Sequence, residues 1–346
     1  MSRSVLLMQV FSTSPWVPPE WIKAHGLEPR GIWFAGDFGG APLPLAAGVC
    51  AFANAAVRFA ERHVDSAVVF TTHCDQLRRG FDMIAGSYGG RLFLFNLPAT
   101  WQSAAAERIF ASELERLGRF LVKLGGHLPT AKELAAIITQ YSLARKRLLE
   151  AACDLSARQY AEAIARFHWD GSVNLPSASE KTGSIPLALV GGPLPRAQWH
   201  VLDLIEGAGG GVVLNATEAG ERSLWSVAGA RGTWGSDAGL VPFKTESKGT
   251  HEELARLYLD NCIDVFQRPN TRLYAWLKER LTARQVRGIL LWHYVGCDLW
   301  RAEAQSLRET FSLPVLLLEA NETASDLPRQ AGRIEAFIES LTRPRT

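Results

Sequence analysis

Short apolar runs alternate with longer amphipathic stretches along this chain, and that alternation sets the expected elements. Gly31-Ile32-Trp33-Phe34-Ala35 reads as a strand, followed by a Gly/Pro-rich loop through Pro44. Cys50 to Arg62 reads as a helix, Ala67 to Thr72 as a strand, and Leu92 to Asn96 as another that Pro98 stops. From Ala104 to about Phe167 the pattern is helical, broken near Gly125-Gly126 and Pro129, with Leu114, Leu117, Leu121 and Leu124 on one stripe. A polar stretch from Ser172 to Ser184 reads as a linker. In the second half Ile185 to Val190, Val212 to Asn215, Gly288 to Val295 and Pro314 to Glu319 read as strands. Trp199 to Glu206, Glu252 to Val265, Leu273 to Leu281, Ala302 to Phe311 and the segment around Arg333 to Glu339 read as helices. Thr217 to Thr250 reads as a glycine-rich loop. Such strand–helix alternation predicts an α/β fold, with parallel sheets covered by helices on both faces.

Composition narrows this picture. A chain of 346 residues is too long for one typical domain. Two are expected, residues 1–175 carrying a helical extension and residues 185–346. The formal charge of +2 gives no electrostatic reason to expect nucleic acid or a membrane surface. No apolar run approaches the roughly 18 residues that span a bilayer. Met1 to Met8 lacks a full apolar signal region and a cleavage site, so no signal peptide is expected. Five cysteines at wide, irregular spacing argue against a disulfide framework and for a reducing compartment. A cytoplasmic protein is the expectation.

The candidate chemistry lies in two Cys-Asp pairs. One follows the strand at Ala67–Thr72, in Thr72-His73-Cys74-Asp75. The other follows the strand at Gly288–Val295, in Gly296-Cys297-Asp298. In open parallel sheets, ligands bind just beyond the carboxyl ends of strands. Each half thus aims a thiol, with His73 or His293 upstream, at such a position, which suggests a metal centre between two domains. Cys50 opens a helix, where backbone N–H groups and the macrodipole favour a thiolate. The spacing of the three is too wide for a zinc ribbon. A thiolate nucleophile working with His73 or His293 is the competing reading, and small buried hydrophobe is the ordinary one. Cys153 and Cys262, both in helical stretches, read as core. Asp75 and Asp298 read equally well as helix caps. His251-Glu252-Glu253-Leu254-Ala255 lacks the second His of a zinc-protease helix. The glycines at 207 and 209–211 stand between helix and strand, so they read as a helix end and turn rather than a dinucleotide fingerprint. No P-loop motif is present in the sequence. Eleven Trp read chiefly as core.

Several stretches, taken in order, resemble the D-component family of 2-hydroxyacyl-CoA dehydratases, which includes the cluster-bearing subunits of benzoyl-CoA reductase. Pro18-Pro19-Glu20-Trp21-Ile22-Lys23-Ala24-His25-Gly26-Leu27-Glu28-Pro29 resembles the family's opening. Gly48-Val49-Cys50, Cys74-Asp75-Gln76-Leu77-Arg78 and Gly296-Cys297-Asp298 resemble its three cysteine segments. Gly191-Gly192-Pro193-Leu194 resembles its central turn, and Leu313 to Glu319 with Arg333 to Glu339 resembles its tail. Gly332 departs from the family's Thr before Arg333.

The resemblance implies two flavodoxin-like (Rossmann-like) domains with an interdomain cleft, plus a helical segment. It implies a [4Fe–4S] cluster on Cys50, Cys74 and Cys297, with one iron open to substrate. His73, His293, Asp75 and Asp298 are then candidates to orient or hydrogen-bond the thiolates. It further implies a sister subunit in a heterodimer, a separate ATP-hydrolysing activator that injects one electron, and an acyl-CoA or aryl-CoA substrate in anaerobic metabolism. The thioester accepts the electron as a ketyl radical anion, which expels a hydroxyl group; in the aryl branch the ring is reduced. An electron-relay subunit and a homodimeric double-cubane reductase are the alternatives within the resemblance. A cofactor-free α/β small-molecule binding protein is the alternative outside it.

Overall fold

The computed structural model describes residues 7–36, 38, 48–177, 185–225, 250–320 and 327–342. Among them, two four-stranded sheets carry the fold, and every strand pair is parallel. The first sheet contains β1 (Gln9–Ser12), β2 (Glu28–Gly31), β3 (Ala67–Thr71) and β4 (Leu92–Phe95), in the order β2-β1-β3-β4. The second contains β5 (Ile185–Gly191), β6 (Gly210–Ala216), β7 (Gly288–Tyr294) and β8 (Val315–Ala320), in the order β6-β5-β7-β8. The plan is thus the same twice. Both are flavodoxin-like, with the strand order reversing direction beside the first strand of each sheet.

Helices cover both faces, as the continuous apolar runs predict. They are α1 (Pro19–Ala24), α2 (Ala51–Arg62), α3 (Asp75–Ile84), α4 (Ala104–Lys123), α5 (Ala131–Ala151) and α6 (Ala157–Asp170) in the first part. In the second they are α7 (His200–Gly207), α8 (His251–Asn261), α9 (Thr271–Ala283), α10 (Asp298–Phe311) and α11 (Leu327–Thr342). Strand alternation splits the core. Val68 and Phe70 of β3 pack with α2, while Ala67 and Val69 pack with α4. In β7, Leu290, Trp292 and Tyr294 face one way, and Ile289 and Leu291 face α9 and α10. One apolar cluster contains Phe11, Val68, Leu189, Leu290 and Trp292, so the inner faces of both sheets share a core. Capping boxes start α5 at Thr130/Glu133 and α6 at Ser156/Gln159, each worth about 1 kcal/mol.

A buried ionic network joins the two parts. Arg145 of α5 donates to Glu20 of α1 at 2.6 Å, and Tyr258 of α8 donates to the same carboxylate at 2.6 Å. The Arg145 guanidinium also lies over the Trp225 ring, 4.1 Å from its centroid. Helix α8 comes from the second half of the sequence yet buries Leu254, Tyr258 and Leu259 against α4 and the first sheet.

Several elements differ from the expected ones. The strand expected at Gly31–Ala35 is the end of β2 followed by a 3₁₀ turn, Ile32–Phe34. All three turn residues are buried, and a fully buried apolar run does not by itself distinguish a strand from a helical turn. Helix α8 stops at Asn261 rather than Val265, and Asp264 leaves it to pair with Arg222 at 2.6 Å. Helix α10 begins four residues early, at Asp298, directly after Cys297. Cys153 is exposed in the turn after α5, not core. The expected loops at 37–47 and 217–250, the end of the linker and the first six residues lie largely outside the described residues. No helix among the described residues is long and apolar enough to cross a membrane.

A three-thiol candidate site at the strand ends

Cys50, Cys74 and Cys297 occupy equivalent local positions. Each is the residue immediately before the first turn of a helix, α2, α3 and α10 respectively. Cys74 follows β3 and Cys297 follows β7, the corresponding strands of the two sheets. Gly296, at φ +85°, turns the chain sharply after β7, and a Cβ added there would stand 3.9 Å from the Cys50 Cβ. A side chain is strained at that φ, so glycine suits the approach of the two loops. Gly191, at the end of β5, has less room: an added Cβ would lie 1.9 Å from the Trp292 carbonyl oxygen.

The three sulfurs lie within electrostatic reach of one another. Burial pushes the Cys74 thiol well above the ordinary range, and charge on Cys50 and Cys297 would push it further. The backbone N–H groups of Leu77 and Gln76 act the other way. Cys297 is pushed up to about 11, first by burial; the Trp300 N–H opposes this, while Cys50, Asp264 and Glu218 add to it. Thiols pushed up in this way, as Cys74 and Cys297 are, are poor nucleophiles at neutral pH. A cationic centre reverses that logic, because a coordinating thiol is deprotonated outright. The donor set therefore fits a thiophilic metal group. Among the described residues no three His, Cys, Asp or Glu side chains stand close enough to hold one ion.

The surroundings tie the site together across both halves. Cys50 N–H donates to Gln76 Oε1 at 2.8 Å, pinning the first cysteine loop to α3. Removing that acceptor by Gln76→Ala costs about 1 kcal/mol locally, which raises the opening of this segment by roughly fivefold. The expected outcome is a several-fold faster native-state alkylation of Cys50, measured by peptide mass spectrometry; equal rates in variant and parent would refute the pinning.

His73 is buried between the lobes. Its Nδ1 meets Thr71 Oγ1 at 2.7 Å, and its Nε2 lies 3.4 Å from Glu218 Oε1. Burial lowers the His73 pKa, but the carboxylates of Glu218 and Asp264 outweigh it, so the net shift is upward. Ser14, just past β1, donates to the same Glu218 oxygen at 2.8 Å. Glu218 stands past β6, so the Ser14–Glu218–His73 chain straps the two sheets together at their carboxyl ends.

The other candidates go elsewhere. Asp75 is 87% exposed and 3.4 Å from Arg78 Nε, and Asp298 is exposed; neither is a cap, since the cysteines hold those positions. His293 is buried on the face of β7 opposite Tyr294, and burial holds its pKa low. Cys262 is buried in the core with Tyr258 and Trp225, its thiol pushed up by burial. Glu218, Gln76 and Tyr294 were not singled out from the sequence. For Glu218 the available signal was its place one turn beyond a strand's carboxyl end. Eight Trp of the described ten are buried, as read from composition.

Fold and site define a two-lobed, doubly wound α/β protein that gathers three thiols at its switch points. The family model for 2-hydroxyglutaryl-CoA dehydratase, D-component, matches residues 16–341. The chain belongs to that family and is a subunit of the 2-hydroxyacyl-CoA dehydratase type. No curated protein matches the sequence.

Proposed function

We propose that this chain is the iron–sulfur subunit of an ATP-activated, radical-type 2-hydroxyacyl-CoA dehydratase, with a [4Fe–4S] cluster on Cys50, Cys74 and Cys297. The observation that carries this reading is the convergence of three thiols, two from one lobe and one from the other, each immediately before a helix. Iron–sulfur clusters take Cys thiolates as their ordinary ligands. Cys50, Cys74 and Cys297 would hold three irons of the proposed cluster, and such a group would keep a position open to substrate. When bound, such a group supplies a one-electron route to the thioester.

The chain's own residues would hold and tune that group. The N–H groups of Gln76, Leu77 and Trp300 face the cysteine sulfurs and favour their anionic form. Cys50 is buried and Cys74 and Cys297 are half-buried, and this partial removal from water raises the worth of each N–H dipole. A separate activator protein would hydrolyse the ATP, which fits the missing P-loop of this sequence, and a sister subunit would complete the enzyme. An aryl-CoA reductase uses the same parts on a ring in place of a hydroxyl group.

Anaerobic reconstitution with iron and sulfide tests the reading. The expected product is brown, with broad visible absorption and about four irons per chain. A colourless protein without iron would overturn it. Titration of the reconstituted protein with an acyl-CoA in a calorimeter then separates a substrate-binding subunit from an electron-relay one: heat of binding is expected.

A further inference from the structure

Tyr294 is the last residue of β7, three positions before Cys297, whose N–H donates to the Tyr294 carbonyl at 2.9 Å. Its side chain is on the inner face of the sheet, 4% exposed, against Phe52 of α2 with ring centroids 5.9 Å apart. Phe52 lies two residues after Cys50, so the ring is wedged between two of the cysteine segments. The Trp292 indole is close, but its N–H donates to the Pro193 carbonyl at 3.1 Å. The Tyr294 hydroxyl finds no acceptor for its own proton among the described residues, since the neighbouring Trp292 indole can only donate to it. Burial raises its pKa well above the ordinary phenol value, with charge on Cys50, Cys297 and Glu218 adding to the effect. It is therefore a protonated donor lacking an acceptor, within reach of two of the three thiols. Buried donors without acceptors are rare because each costs about 1–3 kcal/mol. One that lies beside two of the three thiols points to an acceptor supplied by whatever the thiols bind.

We propose that the Tyr294 hydroxyl donates a hydrogen bond to a sulfur of the metal core bound at Cys50, Cys74 and Cys297, and thereby raises its reduction potential. The inference rests on the cluster reading above and adds a positioning and tuning residue to it. Hydrogen bonds to cluster sulfurs stabilise the reduced state, whose sulfurs carry more negative charge.

The test compares anaerobically reconstituted parent and Tyr294→Phe by iron and sulfide content, redox titration and electron paramagnetic resonance of the reduced state. Both proteins are expected to carry the same iron. At the potential where the parent is half reduced, the reduced-to-oxidised ratio of the variant is expected to fall by about threefold to tenfold, the worth of roughly one hydrogen bond. Its spectrum should shift as well. Phe52→Leu, which loosens the packing but keeps the hydroxyl, is expected to leave the potential in place. Identical titrations for parent and Tyr294→Phe would overturn the inference alone. So would a Tyr294→Phe protein that takes up no iron, since the residue would then build the pocket rather than tune it. A parent without iron would instead overturn the cluster reading, and this inference with it.

Discussion

Cys74→Ser is expected to remove the iron and the colour while leaving the fold in place. Serine is a near-isostere, and Cys74 is the residue that caps α3, a position where serine is among the preferred residues. The helix therefore loses nothing, and whatever fails is chemical. A hydroxyl does not replace a thiolate as a soft ligand for iron. With two ligands left in one lobe and the other lobe combined, near-complete loss of bound iron is expected, against little change in far-ultraviolet circular dichroism. Cys153→Ser, in an exposed turn, serves as the control and should stay brown. Retention of colour in Cys74→Ser would rule out the proposed ligand set.

The second large effect lies away from the thiols. Arg145→Met is expected to cost about 3–5 kcal/mol of stability, because it leaves Glu20 buried with its charge uncompensated. The Glu20 side chain is 0% exposed and the Arg145 side chain 3%. Only Tyr258 would remain to donate to the carboxylate. Since α1, α5 and α8 meet at this point, a lower urea midpoint should come with earlier exposure of the Trp225 fluorescence environment. The paired variant Arg145→Met with Glu20→Leu should recover most of the loss, because a buried ion pair exchanged for apolar residues is often neutral. A single variant as stable as the parent would show that the pair contributes nothing.

Much of the sheet was legible because its strands are buried on both faces. β3, β5 and β7 read as unbroken apolar runs ended by Gly, Pro or a polar turn, and they fold as expected. β1 and β2 were missed for the opposite reason. β2 is Glu-Pro-Arg-Gly, an edge strand without an apolar residue beyond its proline, and β1 has only Val10 and Phe11 to mark it. Pairing to β3 and β1, not composition, makes them strands. The two Cys-Asp pairs were visible at once as strand ends, and Cys74 and Cys297 do follow β3 and β7. Their supports were not visible. Glu218 reaches His73 across 145 positions of sequence only because β6 and β3 end at the same rim of the molecule, a matter of tertiary register. Likewise Asp264 reads as helix until Arg222 is there to claim it.

Cys50 and Cys74 ride on one lobe and Cys297 on the other. Any rocking of one lobe against its neighbour must therefore stretch or skew the sulfur triangle. The Ser14–Glu218–His73 strap, the Arg145 network and the common apolar interior all resist that rocking. Mechanical stiffness, supplied by groups far from the thiols, thus fixes the geometry on which electron uptake would depend.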